Sequence, residues 1–356
     1  MRIGIVGLSF SGKSSLFNNM IKSKTDNNRV NSIGVAKVPD IRINKLKNLF
    51  QPKKTTYSEL EFIDFKESMS TLKDYFIPKY LVQEMQKIDQ LMIVIRAFNN
   101  DAVPHELKTV DYIRDLKTIM FELAFADIEL IEKRIERLTN DKKGLKSVAQ
   151  KRIEDMINSL KSIQQELEKG VLIKDIKLST IQKEAIKDTF FISKLPISIV
   201  INSSEDNSDL LNDTLNSIEK ITLENVTIIN SMLEEELNQL DEKEQEEYRK
   251  DYKLGESAIN KITDIAYKSS QLISFMTVGQ DEVRSWSIQN GINAVNSASK
   301  IHSDIKKGFI RAEVINYNDF IGIGSLVESK KLGKLKQESK DYIVQDGDII
   351  NFLFSV

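Results

Sequence analysis

The stretch Gly7-Leu8-Ser9-Phe10-Ser11-Gly12-Lys13-Ser14 has the spacing G-x-x-x-x-G-K-[ST], and its surroundings decide the fold. The β-branched residues from Arg2 to Val6 predict a buried strand in front of it. Behind it, Leu16, Phe17 and Met20 recur on one face of a helix. A strand, a glycine-containing loop and a helix in this order point backbone N–H groups at phosphate oxygens. The sequence therefore predicts an α/β domain built around a phosphate-binding loop, which we call the P-loop (residues 7–14).

Three side chains near this loop have the chemistry that a complex of nucleotide and Mg²⁺ requires. Lys13 would place a positive charge against the β and γ phosphates, and the hydroxyl of Ser14 would ligate Mg²⁺. Asp64 follows the apolar run Glu59 to Ile63, from where its carboxylate would hold the metal through water. An aspartate at a strand end is otherwise a loop residue or a helix cap, but the P-loop favours the metal role, with ATP or GTP as the nucleotide. The residues expected around the phosphates are Gly7, Ser9, Phe10, Ser11, Gly12, Lys13, Ser14 and Ser15.

The composition limits the class of protein. With 356 residues, of which 40% are hydrophobic, the chain is long enough for two or three domains. The 51 basic and 53 acidic residues nearly cancel, so no overall field draws the molecule to DNA or to an anionic membrane. The absence of cysteine excludes disulfides and thiolate metal sites and agrees with a reducing compartment. Because no apolar stretch approaches the length of a membrane span, we expect a cytoplasmic protein.

Further apolar runs predict the rest of a mostly parallel sheet. They are Leu91 to Ile95, Pro196 to Ile201 and Val226 to Ile229. Between the first two lies charged, helix-forming sequence with apolar residues three and four positions apart and a polar break at residues 140–144. We interpret it as an antiparallel helical hairpin inserted into the α/β domain. The alternative is a pair of helices packed flat on the sheet.

Short strands and turns are indicated toward the end of the chain. They are Val283 to Ile288, Phe309 to Ile315, Tyr342 to Val344 and Ile349 to Phe354. The last two flank the turn Gln345-Asp346-Gly347-Asp348, which predicts a β-hairpin within a small α+β module. The expected domains are a nucleotide-binding domain (1–115 and 190–277), the inserted hairpin (116–189) and the C-terminal module (278–356).

The segment that reads the nucleotide base should follow a later strand. Asn202-Ser203-Ser204-Glu205 stands there, where a guanine-specific site would have N-K-x-D. Both the lysine and the aspartate are absent, so the pattern favours ATP. N-x-x-E is a weak signal by itself, and only its position after the strand supports this role. Asn230-Ser231-Met232, after the next strand, would complete the base pocket with Asn202 and Glu205.

These features resemble the YchF or Obg-like ATPases, P-loop proteins of the translation-factor class that favour ATP over GTP. The resemblance extends over essentially the whole chain and is most specific near its end. In the first part it rests on Gly4-Ile5-Val6-Gly7, Phe98-Asn99-Asn100-Asp101 with His105, Glu122-Leu123-Ala124-Phe125-Ala126-Asp127 and the N-x-x-E motif. In the last part it rests on Val283-Arg284-Ser285-Trp286, Lys300-Ile301-His302-Ser303-Asp304, Lys307-Gly308-Phe309-Ile310-Arg311-Ala312, Lys340-Asp341-Tyr342-Ile343-Val344 and Asn351-Phe352-Leu353-Phe354.

The resemblance implies a C-terminal β-grasp TGS domain, of the kind linked to ribosome and RNA contact, and a hairpin that forms a groove with it. It also implies that His105 positions the attacking water, although a loop histidine with ordinary hydrogen bonds is the equal alternative. Charge supports RNA contact only in part, because residues 278–356 hold ten basic and ten acidic residues. The lysine clusters in this segment could also be solvated faces. They are Lys300, Lys306, Lys307 and Arg311, and Lys330, Lys331, Lys334, Lys336 and Lys340.

The sequence departs from the family where P-loop proteins sense the γ-phosphate. The family has D-x-A-G after the metal-binding aspartate, whereas this chain has Asp64-Phe65-Lys66-Glu67 and no glycine from Phe65 through Leu81. Asn28 occupies the place of the Mg²⁺-binding threonine, although Thr25 could serve instead. We therefore expect a nucleotide-binding protein with slow or lost hydrolysis. The alternative is a nucleotide-stabilised scaffold that binds a protein or RNA partner through the hairpin and the TGS domain.

Overall fold

A computed structural model describes residues 1–21, 24–27, 31–71, 76–143, 146–204, 208–218 and 221–355, with the backbone alone at 24–27, 208 and 242. The chain forms two compact units, which we call unit 1 and unit 2. Unit 1 comprises Met1–Val35 and Glu61–Ile265, and unit 2 comprises Ala36–Leu60 and Ala266–Val356.

The strands, in chain order, are β1 (Arg2–Val6), β2 (Lys24–Asn27), β3 (Asn31–Lys37), β4 (Lys54–Thr56), β5 (Glu59–Phe65), β6 (Gln90–Arg96), β7 (Ile197–Asn202), β8 (Val226–Ile229), β9 (Leu272–Thr277), β10 (Glu282–Gln289), β11 (Phe309–Asn316), β12 (Lys336–Glu338) and β13 (Asp348–Phe354).

The helices are α1 (Lys13–Met20), α2 (Ile41–Phe50), α3 (Lys79–Met85), α4 (Tyr112–Asp141), α5 (Ser147–Glu168), α6 (Thr180–Ala185), α7 (Ser208–Ser217), α8 (Ser231–Leu237), α9 (Glu242–Asp251), α10 (Ala258–Ser269), α11 (Ala294–Ala298), α12 (Ser303–Lys307), α13 (Tyr317–Ile323) and α14 (Leu326–Lys331). Short 3₁₀ helices lie at Ile173–Asp175 and Ile192–Lys194. Within the described residues, no helix is both long and apolar enough to cross a bilayer.

Unit 1 is built on a sheet that contains, within the described residues, seven strands in the order β2-β3-β5-β1-β6-β7-β8. The five strands β5, β1, β6, β7 and β8 run parallel, and all five were predicted from their apolar runs. The middle strands β6 and β7 are buried along their whole length, since helices cover both faces of the sheet. The antiparallel pair β2 and β3 was not predicted.

Helices α4 and α5 form the predicted antiparallel hairpin. Lys142 faces Glu154, and Glu132 faces Gln164, which fixes the antiparallel register. Burial in the hairpin is confined to its base: among the described residues between Ile131 and Leu160, none is buried. Most of the hairpin therefore projects from the sheet rather than lying flat on it.

A buried carboxylate anchors the base of this hairpin. Asp127 accepts hydrogen bonds from the backbone N–H groups of Ile192 (2.9 Å) and Ser193 (2.8 Å), at the start of a 3₁₀ helix. Burial raises the pKa of Asp127 to about 6, against the opposite effect of these hydrogen bonds. The bonds hold α4 to the segment that leads into β7.

Unit 2 contains a mixed sheet whose described strands follow the order β12-β11-β13-β9-β10-β4. Phe275 of β9 lies at its centre, stacked on Trp286 and in edge contact with Phe352. Strand β4 pairs in parallel with β10, and Ile43 and Leu46 of α2 are fully buried in a cluster with β9 and β10. Residues 36–60 and 266–277, which we assigned to the nucleotide domain, thus lie in unit 2. This pairing across more than two hundred residues leaves no local pattern in the sequence.

The β-hairpin predicted around residues 345–348 was wrong. Tyr342 to Val344 do not form a strand, because Ile343 makes only an isolated bridge to Asn293. Strand β13 pairs instead with β11 and β9. The carboxylate of Asp348 holds the turn, since it accepts hydrogen bonds from the hydroxyl of Tyr342 and the N–H of Gln345.

Candidate nucleotide-binding site

The P-loop connects β1 to α1, and its two glycines are required by its geometry. Gly12 has φ +92°, and a Cβ atom there would lie 2.1 Å from Nδ2 of Asn202. Gly7 has φ +153°, and a Cβ atom there would lie 2.3 Å from the carbonyl oxygen of Val94. Within the described residues, no side chain caps the amino end of α1. The backbone therefore curls tightly and leaves the helix terminus open to an anion.

Lys13 is buried beneath this loop. Its ammonium group donates hydrogen bonds to the carbonyl oxygens of Gly7 (3.1 Å) and Leu8 (2.7 Å). Burial lowers the pKa of Lys13 to about 8, while the negative charges of Asp64 and Glu106 act in the opposite direction. The lysine thus lies inside the P-loop, with its ammonium group held against the backbone of the loop.

Ser14 and Asp64 are the two residues predicted to hold Mg²⁺. Asp64 is in register with Ile5 on the neighbouring strand, so its carboxylate is at the carboxyl edge of the sheet beside the P-loop. It is buried and interacts electrostatically with Lys13, whereas Ser14 is exposed in the first turn of α1. Hydroxyl and carboxylate oxygens are the ligands that Mg²⁺ prefers, and these residues fit the ion.

Asn202 joins the P-loop to the loop after β8. Its Nδ2 donates to the carbonyl oxygen of Ser11 (3.1 Å), and its Oδ1 accepts from the N–H of Ser231 (3.1 Å). Asn230 caps α8 by accepting from the N–H of Leu233 and donates to the carbonyl oxygen of Ser204. The structure therefore brings Asn202, Asn230 and Ser231 together with the P-loop.

A cleft of about 470 Å³ lies beside these residues. Its walls include Phe98, Asn99 and Met232, and the exposed thioether of Met232 would reach a bound base. The cleft also contacts the predicted residues Gly12, Ser15, Asn202, Asn230 and Ser231. The remaining predicted base contact, Glu205, lies outside the described residues.

The P-loop residues Ser9, Phe10 and Ser11 were predicted as phosphate contacts. Phe10 has φ +60° and a side chain that is 61% exposed, while Ser11 is buried. The hydroxyl of Ser9 donates a hydrogen bond to Glu106, a residue that the sequence did not single out. Glu106 comes about ten residues after the predicted strand Leu91 to Ile95 and belongs to no known motif, so the sequence did not indicate it.

His105 lies next to the P-loop, but both of its ring nitrogens have partners. Nδ1 accepts a hydrogen bond from the N–H of Leu107 (3.1 Å), and Nε2 lies 2.8 Å from Asp115, whose other oxygen accepts from Arg114. Nδ1 therefore acts as an acceptor, and Nε2 is the ring nitrogen that faces the carboxylate of Asp115. This geometry favours the alternative of an ordinary loop histidine.

The segment after Asp64 contacts the P-loop through a residue other than the expected one. Glu67 is exposed, whereas Met69 is fully buried and forms an isolated parallel bridge with Leu8. Asn28 lies outside the described residues, and Thr25 belongs to a strand of which only the backbone is described. Within the described residues, no cluster of three or more His, Asp or Glu side chains could hold a metal ion.

This fold and site define a P-loop nucleotide-binding protein with an inserted helical hairpin. The family model YchF-GTPase_C, described as "Protein of unknown function (DUF933)", matches residues 272–355. The "Ribosome-binding ATPase YchF" of Buchnera aphidicola (subsp. Schizaphis graminum) is 35% identical, over 100% of this chain and 99% of that protein. The protein of the same name from Bacillus subtilis is 31% identical, over 99% of each chain. The chain therefore belongs to the YchF family.

Solved structures agree with this assignment. The YchF GTPase of Schizosaccharomyces pombe superposes with a TM-score of 0.86 at 25% identity, covering 99% of this chain and 97% of that one. A GTP-binding protein of Pyrococcus horikoshii has the same kind of fold, with a TM-score of 0.56 at 15% identity over the full length of both chains. The fold class expected from the sequence is confirmed.

Proposed function

We propose that this chain binds ATP or GTP together with Mg²⁺ and associates with ribosomes in the cytoplasm. The observation that carries the nucleotide part is the P-loop, in which Lys13 is buried under a backbone that only glycine permits at Gly7 and Gly12. The ribosome part rests on relatives named as ribosome-binding ATPases.

Each part of the nucleotide would be held by a different set of residues. The amino end of α1 and Lys13 would hold the phosphates, and Ser14 and Asp64 would hold Mg²⁺, Asp64 through water. Mg²⁺ would neutralise charge on the β and γ phosphates. Asn230, Ser231 and Met232, with Glu205, would surround the base. The lack of an aspartate that would recognise guanine supports a preference for ATP over GTP.

Ribosome or RNA contact would use unit 2, which contains the TGS domain that we propose, and the hairpin. Local charge gives this placement limited support. Lys330, Lys331 and Lys334 form ion pairs at 3.1–3.6 Å with acidic neighbours, which reduces the positive potential of that cluster. We therefore expect recognition by shape and specific contacts more than by net charge, with no role for DNA.

We propose slow hydrolysis relative to relatives that have D-x-A-G. The ring nitrogens of His105 already contact Asp115 and Leu107. Residues 65–81 contain no glycine that could let this segment close around a γ-phosphate. The second candidate, a nucleotide-stabilised scaffold, is supported by the exposed outer part of the hairpin. In that case nucleotide would stabilise the fold without measurable turnover.

Calorimetric titration with ATP and GTP, each with and without Mg²⁺, tests the nucleotide part. We expect both to bind, ATP at least as tightly as GTP, and both more tightly with Mg²⁺. A preference for GTP of about tenfold or more, or 1.4 kcal/mol, would contradict the base pocket. Turnover measured on the same preparation separates a slow ATPase from the scaffold.

A further inference from the structure

Glu106 gathers four hydrogen-bond donors beside the P-loop. Its Oε2 accepts from the N–H (3.1 Å) and the hydroxyl (3.3 Å) of Thr71. The hydroxyls of Ser9 and Ser70 also donate to this carboxylate. Glu106 therefore connects the P-loop to the segment that follows Asp64.

This carboxylate lies near the lysine that would meet the outer phosphates of a bound triphosphate. Glu106 is close enough to Lys13 to raise the pKa of its ammonium, and this lysine is the one that meets the β and γ phosphates. Ser9 belongs to the phosphate-binding loop itself, and the neighbouring Met69 is bridged to Leu8. In P-loop switches a γ-phosphate draws the segment after the metal-binding aspartate toward the loop by accepting such hydrogen bonds.

Glu106 carries a negative charge near neutral pH. Burial alone would raise its pKa, but the hydrogen bonds from Ser9, Thr71 and Ser70 outweigh burial and lower the pKa below its usual value. A γ-phosphate brought to the same donors would meet this charge at short range, and like charges in a partly buried site repel strongly.

The turn that carries Glu106 is itself fixed. Nδ1 of His105 accepts a hydrogen bond from the N–H of Leu107, and its backbone oxygen accepts one from the N–H of Lys108 (2.9 Å). The carboxylate of Asp115 lies against the other ring nitrogen. His105 is thus a positioning residue for the glutamate that follows it.

We propose that Glu106 is a specificity-determining residue that occupies the place of a γ-phosphate and makes the site favour a nucleoside diphosphate over the triphosphate. This inference rests on the proposed nucleotide binding. A diphosphate leaves the hydrogen bonds of Glu106 to Ser9 and Thr71 intact. A triphosphate must displace the carboxylate from these donors before its own γ-phosphate can use them.

The test compares the affinities of ADP and of β,γ-imido-ATP, both with Mg²⁺, for wild type, Glu106→Gln and Glu106→Ala. We expect wild type to prefer ADP. Glu106→Gln removes the charge at nearly constant shape and should shift the ratio toward the triphosphate analogue by about tenfold or more. Glu129→Gln is the matched control, because Glu129 is an exposed carboxylate of unit 1 whose ion pair with Lys133 is long, at 3.9 Å. It should leave the ratio within about twofold of wild type.

Hydrogen exchange of the Thr71 amide gives a readout that is independent of affinity. With ADP bound, this amide should be protected in wild type and exposed in Glu106→Ala, and the triphosphate analogue should restore its protection in the variant. An unchanged affinity ratio in both Glu106 variants, with both nucleotides still bound, would overturn this inference and leave the proposed function standing. Failure of wild type to bind either nucleotide would overturn the proposed function and this inference with it.

Discussion

Replacing Asp127 by Asn should remove a defined pH dependence from the stability of unit 1. Burial raises the pKa of Asp127 to about 6, from an ordinary value of 3.8. The folded state then binds this proton more tightly than the unfolded state does. The stabilisation that protonation gives is fully present below about pH 4 and is lost as the pH rises through about 6. With about 1.4 kcal/mol per pKa unit, a shift of about two units corresponds to about 3 kcal/mol.

Denaturant titrations of wild type and Asp127→Asn between pH 4 and 7 measure this effect. The free energy of unfolding of wild type, minus that of the variant, should fall by about 2–3 kcal/mol across this range. The variant also loses an acceptor for one of the two backbone N–H groups, which costs about 1–3 kcal/mol at every pH. Asp155→Asn, an exposed aspartate on α5, serves as the control and should give a curve parallel to wild type. A pH-independent difference between wild type and Asp127→Asn would refute the reasoning.

Three other substitutions test the site and unit 2. Lys13→Ala should weaken triphosphate binding by about 1.5–3 kcal/mol because it removes a buried charged donor, and unchanged affinity in calorimetry would contradict the phosphate site. Gly12→Ala should lower both stability and nucleotide affinity. Gly291→Ala is at a similar φ but in open space, so it should lower stability alone. Equal losses of affinity in the two variants would show that the crowding at Gly12 has no role. Arg42→Ala removes a guanidinium that bridges two carboxylates and should destabilise unit 2 by about 2–3 kcal/mol in thermal unfolding. Lys53→Ala breaks a fully exposed pair, so a loss as large as that of Arg42→Ala would argue against the bridge.

The elements that were predicted correctly are those whose formation depends on residues close together in the sequence. The five parallel strands of unit 1 appear as apolar runs because both faces of the sheet are buried, and the P-loop has a fixed spacing because backbone N–H groups must converge on phosphate. The hairpin was visible from apolar residues three and four positions apart. Its projection from the sheet was also expected, and it agrees with burial that ends at Ile131 and Leu160.

The elements that were missed depend on partners distant in the sequence. Strand β4 has the polar sequence Lys54-Thr55-Thr56, and only its partner β10 makes it a strand. The run Tyr342 to Val344 has strand-forming residues, yet the neighbouring positions in the sheet are taken by β11 and β9. Glu106 was invisible for the same reason, since its importance comes from Thr71 and Ser9, which the fold brings to it.

The pairing of β4 with β10 has a consequence for how this protein is made. Residues 36–60 leave the ribosome early, but Lys54 cannot pair with Glu282 until more than two hundred further residues have been translated. At a synthesis rate of about 5–20 residues per second, the apolar face of α2, with Ile43 and Leu46, waits for at least about ten seconds without its partners. During that interval the nascent chain presents a hydrophobic segment that a chaperone would recognise. Unit 2 is therefore expected to be the last part of the molecule to fold. Its folding should be the step most sensitive to the speed of translation.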